Sequence, residues 1–583
     1  GTATVPRLVR TSSADTLAVP ADSPAWHLDV TERGTLEHLA LLPGGPEVLE
    51  PPAEGQVRIA VRAAGVNFRD VLITLGMYPG EATLGGEGAG VVLETGPGVT
   101  GLAPGDRVMG LLRDGFGPYA VADHRHLVRM PAEWSYAQAA SVPIAFVTAY
   151  YGLRDRAGLG SGDAVLVHSA AGGVGMAAVQ LARHFGAEVY GTASPGKWDA
   201  LRANGFDDAH IGNSRTLEFR DRFLAATGGR GVDVVLNALA GEFVDASLAL
   251  LPRGGGFLEM GKTDIRDAAG VSADRPGVAY QAFDLAEAGP DRVQEILREL
   301  VGLFEKGALT SLPLEVWDVR RAPDAFRHLS QAQHVGKVVL GIPRTPDPEG
   351  TVLITGGTGT LARLTARHLV SHHDVRHLLL VSRRGPDAEG ADDLTAELTD
   401  LGAQVRIEAC DVTDSTAVAA LLASVPDNHP LTGVIHTAGA LDDAVIDSLT
   451  PERLHAVLRP KADAAWHLHQ HTHHHDLAFF ALYSSAAGTL GNPGQANYAA
   501  GNTYLDALAH HRRGQGLPAT SLAWGYWAET SAMTAHLDDA ALQRNKRDGM
   551  LGLTEETGMA LFDAGLRSPY PALVPARLSL ASL

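Results

Sequence analysis

The chain has 583 residues, more than one hydrophobic core organises, and the length points to three or four domains. Hydrophobic residues make up 45% and charged residues 20%, the balance of a globular enzyme, and a net charge of -20 argues against nucleic acid or an anionic membrane as partner. A single cysteine, Cys410, excludes an internal disulfide and thiolate metal clusters. No apolar run is long enough for a transmembrane helix, the opening residues do not read as a signal segment, and a reducing cytoplasm is the expected setting.

Residues 1–26 read as a tail and linker in which "VPRLVR" has the pattern of one strand. From 27 to 150, stretches such as "GQVRIAVRAAGVNF" and "GAGVVLETG" alternate apolar and polar residues between glycines, as in a β-rich, barrel-like domain. Within 151–304 the pattern changes: "DAVLVHSAAGGVGMAAVQLARHFGAEVYGTA" is strand, Gly-rich turn, helix and strand, and further βα units follow. "HVGKVVLGI", within 305–343, reads as a strand closing this region, and "PRTPDPEG" around 344–350 is a linker. A second βα series fills 351–583. The fold class expected is α/β, with two doubly wound parallel sheets of the Rossmann type and a β-rich domain beside the first.

The first glycine turn carries Gly172, Gly173, Val174 and Gly175 between an apolar strand and an Ala-rich helix. Glycines there let backbone N–H groups approach a pyrophosphate at the positive end of the helix. The next strand ends without the acidic residue that would hold a ribose 2'-hydroxyl. Ser194 and Lys197 stand there instead, with Ser214 and Arg215 further on, donors suited to a 2'-phosphate and therefore to NADPH.

"VNFRDVLITLGMYPG", "LGGEGAGVV", "GDRVMGL" and "SAAGGVG" together resemble the quinone-reductase and enoylreductase branch of the medium-chain dehydrogenase/reductase superfamily, over about 27–343. The resemblance implies a GroES-like substrate domain (27–150 and 305–343) around an NADPH-binding Rossmann domain (151–304). Zinc enzymes of that superfamily use cysteine ligands; this stretch has none, so no metal is expected. It further implies that Lys262 in "MGKTDI" and Asp284 in "AFDL" are the proton-donating pair, and that Tyr78 steers the face protonated.

The second turn is "TVLITGGTGTLARLTARHL", with Thr355, Gly356, Gly357, Gly359, Thr360 and Leu361 between strand and helix, in the form found in short-chain dehydrogenases. The following strand ends in Ser382, Arg383 and Arg384, whose guanidinium forks suit a 2'-phosphate. In that family Asp411 and Val412 lie at the adenine, and Thr437, Ala438 and Gly439 along the nicotinamide ribose.

Ser485 and Tyr498 are thirteen residues apart, the spacing of the short-chain dehydrogenase pair. Most of that superfamily has lysine four residues after the tyrosine; here that residue is Asn502, and Lys461 stands 24 residues before Ser485. Exchanged Lys and Asn positions resemble the ketoreductases of polyketide and fatty-acid synthases. The resemblance implies that Tyr498 gives a proton to a ketone and that Lys461 lowers its pKa. Ser485 would bind the carbonyl oxygen, and Asn502 would orient Lys461 or a water. Leu441, Asp442 and Asp443 resemble the LDD marker of B-type ketoreductases, which form a D-configured hydroxyl; Leu490 stands where A-type enzymes have tryptophan. Residues 530–550 read as a lid, and "HLHQHTHHH" (467–475) as an exposed helix end that binds metals only adventitiously.

Enoylreductase first and ketoreductase second is the order in fully reducing modules of type I modular polyketide synthases. The expectation is an NADPH-dependent enzyme with one cofactor per reductase domain and two per chain. Its substrate would arrive on an acyl carrier protein, and ketosynthase, acyltransferase and dehydratase domains would be partners. Residues 1–26 would be a remnant of the ketoreductase structural subdomain and the chain an excised piece. Two alternatives stay open: a fused quinone reductase and alcohol dehydrogenase acting on free small molecules, and a non-catalytic NADPH-binding scaffold.

Overall fold

The computed structural model describes residues 8–11, 16–21, 23–528 and 549–579, so nearly all of the expected lid lies outside the described residues. The chain forms two compact units, one ending at Pro343 and one running from Arg344, with residues 8–11 grouped with the second. Of "VPRLVR" only residues 8–10 lie within the described residues, and these three are not in a strand.

The first unit holds two principal sheets. One is seven-stranded and centres on the long strand Gln56–Val66, which pairs antiparallel with Glu87–Thr95, Tyr119–Asp123 and Lys337–Gly341. Val57, Ile59, Val61, Val92, Val108 and Val338 all bury one face of it. The other is six-stranded and wholly parallel, in the order Ile211–Asn213, Glu188–Ala193, Ala164–Val167, Val234–Asn237, Gly255–Glu259 and Val278–Ala282. Ala164–Val167 is buried throughout, as a central parallel strand covered on both faces must be.

The second unit is built on a seven-stranded parallel sheet, in the order Gln404–Ala409, His377–Ser382, Thr351–Thr355, Leu431–His436, Phe479–Ser485, Thr520–Trp524 and Ala572–Leu573. Both parallel sheets start at an inner strand, build outward one way, then return to build the other way. The crevice left at that reversal, beyond the carboxyl ends of the strands, is where this architecture takes a ligand. The fold class is the one the sequence implies.

Glu87 and Lys337 form a charged pair within the first unit's interior. Glu87 is fully buried at the head of its strand, and its Oε1 lies 2.6 Å from the Lys337 Nζ. Asn67 Nδ2 donates to the same oxygen at 2.7 Å, and the Ile144 N–H donates to Oε2 at 2.7 Å. Removing one member leaves a charge with no solvent and no counter-ion. Lys337→Met is expected to destabilise the first unit by about 3–5 kcal/mol in urea unfolding, and Glu87→Gln added to it to recover most of that loss.

Candidate active sites

In the first unit a cavity of about 660 Å³ opens along the reversal of the parallel sheet. Gly172, Gly173, Val174, Gly175, Ser194, Lys197, Ser214 and Arg215 all line it, as do Lys262, Asp284 and Tyr78. The cradle is tight: a Cβ on Gly175 would stand 2.3 Å from the Ser169 carbonyl oxygen. Helix Gly173–His184 starts from Gly172 without a side-chain cap, leaving its first-turn N–H groups for an anion. The Lys197 ammonium donates to the His334 carbonyl at 2.6 Å, next to Arg215, whose charge adds to burial in holding the Lys197 pKa down. Asp284 is the only carboxylate among the described residues lining the cavity. A basic end and a glycine cradle fit a phosphorylated dinucleotide.

At the cavity's other side Lys262 Nζ lies 3.0 Å from Asp284 Oδ2 and donates to the Phe283 carbonyl at 3.1 Å. Burial pushes the Asp284 carboxyl up, but the Ala286 N–H, Lys262 and Arg69 together hold it below its ordinary value. The Arg69 guanidinium stacks over the Tyr78 ring at 5.0 Å.

The sequence reading did not single out Asn67, His334 or Lys337, which line the same cavity. The signal was present in two of them: "GKVVL" carries a lysine into an apolar strand, and "VNFRD" an asparagine at a strand end. Nor did it single out His168, which bridges Thr192 Oγ1 and Ser247 Oγ at 2.8 Å each, and whose burial drives its pKa down to about 3.

In the second unit the strand Thr351–Thr355 feeds a comparable turn. Gly356 has φ +66°, and a Cβ there would meet Thr437 Oγ1 at 2.8 Å, so glycine is required twice over. Helix Thr360–His372, which contains Leu361, starts from Gly359, again with no side-chain cap. Ala362, where the family's last glycine is replaced, is fully buried. Ser382 Oγ accepts the Gly385 N–H at 3.0 Å and so shapes the turn that exposes Arg383 and Arg384. Asp411 accepts the N–H and hydroxyl of Thr413 at 3.0 and 2.8 Å, bonds that keep its carboxyl below the ordinary range, and Val412 beside it is buried. Thr437, Ala438 and Gly439 follow the next strand, with the Thr437 hydroxyl donating to the Thr355 carbonyl at 2.7 Å. This turn and its exposed arginines also fit a phosphorylated dinucleotide.

Ser485 ends the strand Phe479–Ser485, and Tyr498 and Asn502 sit one turn apart on helix Ala496–Gly514. Lys461 lies on a π-helical turn, Arg459–Asp463, 3% exposed. The Lys461 Nζ is 5.4 Å from the Tyr498 ring centre, so the four side chains meet in one place. Burial lowers the Lys461 pKa to about 8, opposed by Asp506. Its ammonium donates to the Tyr483 carbonyl at 2.9 Å.

Tyr498 departs from expectation. Its pKa is raised, not lowered: burial dominates, and hydrogen bonds from Ser485 and Asn502 only partly offset it. The expected depression by Lys461 is absent because that ammonium is aimed at a carbonyl rather than at the phenol. Asn502 Nδ2 donates to the Tyr498 carbonyl at 2.8 Å, while its buried Oδ1 has no hydrogen-bond partner among the described atoms.

The loop with Leu441, Asp442 and Asp443 is tied down by its carboxylates. Asp442 Oδ1 accepts from Arg453 Nη2 at 2.5 Å, and Asp443 Oδ2 from Gln495 Nε2 at 2.8 Å, just before the tyrosine helix. The histidine tract also differs from expectation in part. His469 is buried and accepts from Arg512 at 3.1 Å, and His471 pairs with Ser415 at 2.9 Å.

Comparison with known proteins finds a reductase-type match in each unit. The family model for the KR domain matches residues 350–529, that for the GroES-like domain of alcohol dehydrogenases 53–148, and that for zinc-binding dehydrogenases 205–340. Polyketide synthase GfsB of Streptomyces halstedii is 60% identical over 96% of this chain, and the pikromycin synthase component PikAII of Streptomyces venezuelae 58% over all of it. The crystal structure of CurK enoyl reductase is 40% identical, covers 55% of this chain and 99% of its own, and superposes with a TM-score of 0.52. Mycobacterial Rv1454c complexed with NADPH is 27% identical over 54% of this chain and 99% of its own, with a TM-score of 0.50. The chain belongs to the enoylreductase–ketoreductase pairs of type I polyketide synthases. It spans only 10% of GfsB and 16% of PikAII. The first unit is thus the enoylreductase and the second the ketoreductase, and the chain is an NADPH-dependent oxidoreductase. The one cysteine, Cys410, lies outside both dehydrogenase matches.

If Arg383 and Arg384 read the 2'-phosphate, replacing both with alanine should weaken NADPH binding to the ketoreductase about 10- to 100-fold and leave NADH binding unchanged, as read by cofactor fluorescence titration.

Proposed function

We propose that the ketoreductase converts a β-ketoacyl thioester to its D-β-hydroxyacyl form, and that the enoylreductase saturates an enoyl thioester. The reading includes an acyl carrier protein as bearer of both substrates. Ketosynthase, acyltransferase and dehydratase domains would serve the same chain, and a cytoplasmic setting suits its lone cysteine. The observation that carries the proposal is the convergence of Ser485, Tyr498, Asn502 and the buried Lys461 at the carboxyl edge of the second parallel sheet.

Bound NADPH would supply the hydride in each reaction, one cofactor per unit and two per chain. Ser485, which bonds the Tyr498 phenol, orients the substrate carbonyl toward it. Tyr498 gives its proton to that oxygen as the carbon is reduced. Lys461 makes the resulting phenolate bearable through its charge, and the unpartnered Asn502 Oδ1 is suited to hold the water that returns a proton. Asp442 and Asp443 hold the loop beside the tyrosine helix, which supports a B-type geometry at the substrate's entry. In the enoylreductase, Lys262, steadied by Asp284, supplies the α-carbon proton, with Tyr78 at the substrate side of the cavity. The Lys262–Asp284 ammonium–carboxylate pair lining the cavity supports enoyl reduction over the quinone and alcohol alternatives. The complete tetrad argues against a scaffold.

A crossed experiment tests the division of labour. With pantetheine thioesters and NADPH, Tyr498→Phe should slow ketone reduction at least about 100-fold and spare enoyl reduction, and Lys262→Ala should do the reverse. Survival of either activity in its own variant removes that residue from the mechanism. Chiral chromatography of the wild-type product checks the D-configuration.

The pH dependence follows from Lys461. Its ammonium is present below about 8 and lost above it, while the Tyr498 phenol, raised by burial, keeps its proton through that range. Ketoreduction should therefore fall as pH rises through about 8, and Lys461→Met should abolish that limb along with most of the rate.

A further inference from the structure

A second cluster of titratable side chains lies in the ketoreductase, among residues to which the reaction assigns no part. His368 sits on helix Thr360–His372, His373 caps that helix, and Asp563 sits on helix Glu555–Leu566. Both imidazoles meet one carboxylate oxygen: His368 Nε2 lies 2.9 Å and His373 Nε2 2.7 Å from Asp563 Oδ1. The ligand-type atoms of all three side chains lie within 4.8 Å of one another. The side chains are 10%, 22% and 19% exposed, low enough to shield an ion and open enough to admit it. The His372 ring stacks on His368 at 4.6 Å, and Phe562 closes an edge at 6.2 Å, so the His368 ring is held on two sides.

We propose that His368, His373 and Asp563 form a site for one divalent cation of the zinc class, which pins the helix leaving the cofactor turn to the C-terminal helix. Two imidazole nitrogens and a carboxylate oxygen are a borderline donor set, suited to zinc or cobalt rather than calcium or magnesium. In a tetrahedral zinc site, bonds of about 2.0–2.1 Å set neighbouring ligand atoms about 3.3 Å apart. The Asp563 oxygen would need to withdraw from the two nitrogens by only about half an ångström. Without an ion, each Nε2 donates a proton to that oxygen. With one, the two Nε2 lone pairs turn to the metal and the protons leave to Nδ1 or to solvent.

The other triad of this kind, Glu349, His377 and His429, is a weaker candidate. Its carboxylate is 70% exposed and stands 3.8 Å from His377, and His429 Nδ1 is engaged by the Glu349 carbonyl at 2.9 Å.

The test uses the whole chain, stripped with EDTA and titrated with zinc chloride against a fluorescent zinc chelator. The expected result is one equivalent held at least 10-fold tighter than in Asp563→Asn or in His373→Gln. Cobalt chloride should give a visible ligand-field band that both variants lose, and zinc should raise the thermal midpoint of the wild type only. His373→Gln changes a helix-end residue and keeps the test readable if Asp563→Asn fails to fold. Replacing His473 and His474 in the 467–475 tract should leave the tight equivalent in place. The proposal is overturned if the wild type holds no tight equivalent, if both cluster variants keep it, or if it disappears with the tract variant. In each of these cases the cluster is a hydrogen-bonded junction between two helices.

Discussion

Both parallel sheets reverse their direction of growth once, and that reversal places each glycine turn at an open carboxyl edge. In each unit the first strand of the sheet has neighbours built outward on one side and then on the other, so the helices that follow adjacent strands diverge and leave the carboxyl edge open. A turn entering that gap must bring backbone close to backbone. The Ser169 carbonyl lies where a Gly175 side chain would start, and Thr437 where a Gly356 side chain would start. Uncapped helix N-termini at Gly173 and Thr360 follow from the same turns, since a capping side chain would occupy the space of the anion. The glycines, the anion site and the strand order are three consequences of one geometric constraint.

The two units treat a buried ammonium in opposite ways. Lys337 is matched by Glu87 at 2.6 Å, with Asn67 bridging both, and the arrangement is rigid and neutral overall. Lys461 is equally buried but among the described residues its ammonium donates only to the Tyr483 carbonyl, and its carboxylate influence comes from Asp506 without a direct bond. A cation stabilised by a carbonyl dipole alone is poised to lose its proton near neutrality. One buried with its own counter-ion is a structural part. Lys461 is carried on a π-helical turn, a local irregularity that recurs at functional sites.

Much of the fold was legible in the sequence because both parallel sheets announce themselves by apolar strands followed by glycine turns. The tetrad was legible because Ser485, Tyr498 and Asn502 fall on one strand end and one helix at fixed spacing. Lys461 was found only through resemblance: a residue 24 positions away from Ser485 meets it by tertiary packing, which spacing alone does not encode. The Glu87–Lys337 pair escaped notice for the same reason, its members being 250 positions apart and each reading as an anomaly in an apolar strand. The histidine tract misled in the other direction. Composition suggested an exposed run, yet helical periodicity turns His469 inward onto Arg512.

The raised pKa of Tyr498 reframes what its neighbours do. A phenol whose proton is held more tightly than in water is a weak acid at rest, and in the proposed reaction it would keep that proton until a ketone oxygen arrives to receive charge. Lys461, pushed down toward neutrality and pointed at a carbonyl, does not prepare a phenolate in advance. In the proposed reaction its charge would therefore be most useful late, once the phenol has given up its proton and a negative oxygen stands beside it. Proton donation in the proposed reaction would thus be coupled to reduction, and the same phenolate, reached from the product side, would serve as the base of the reverse step.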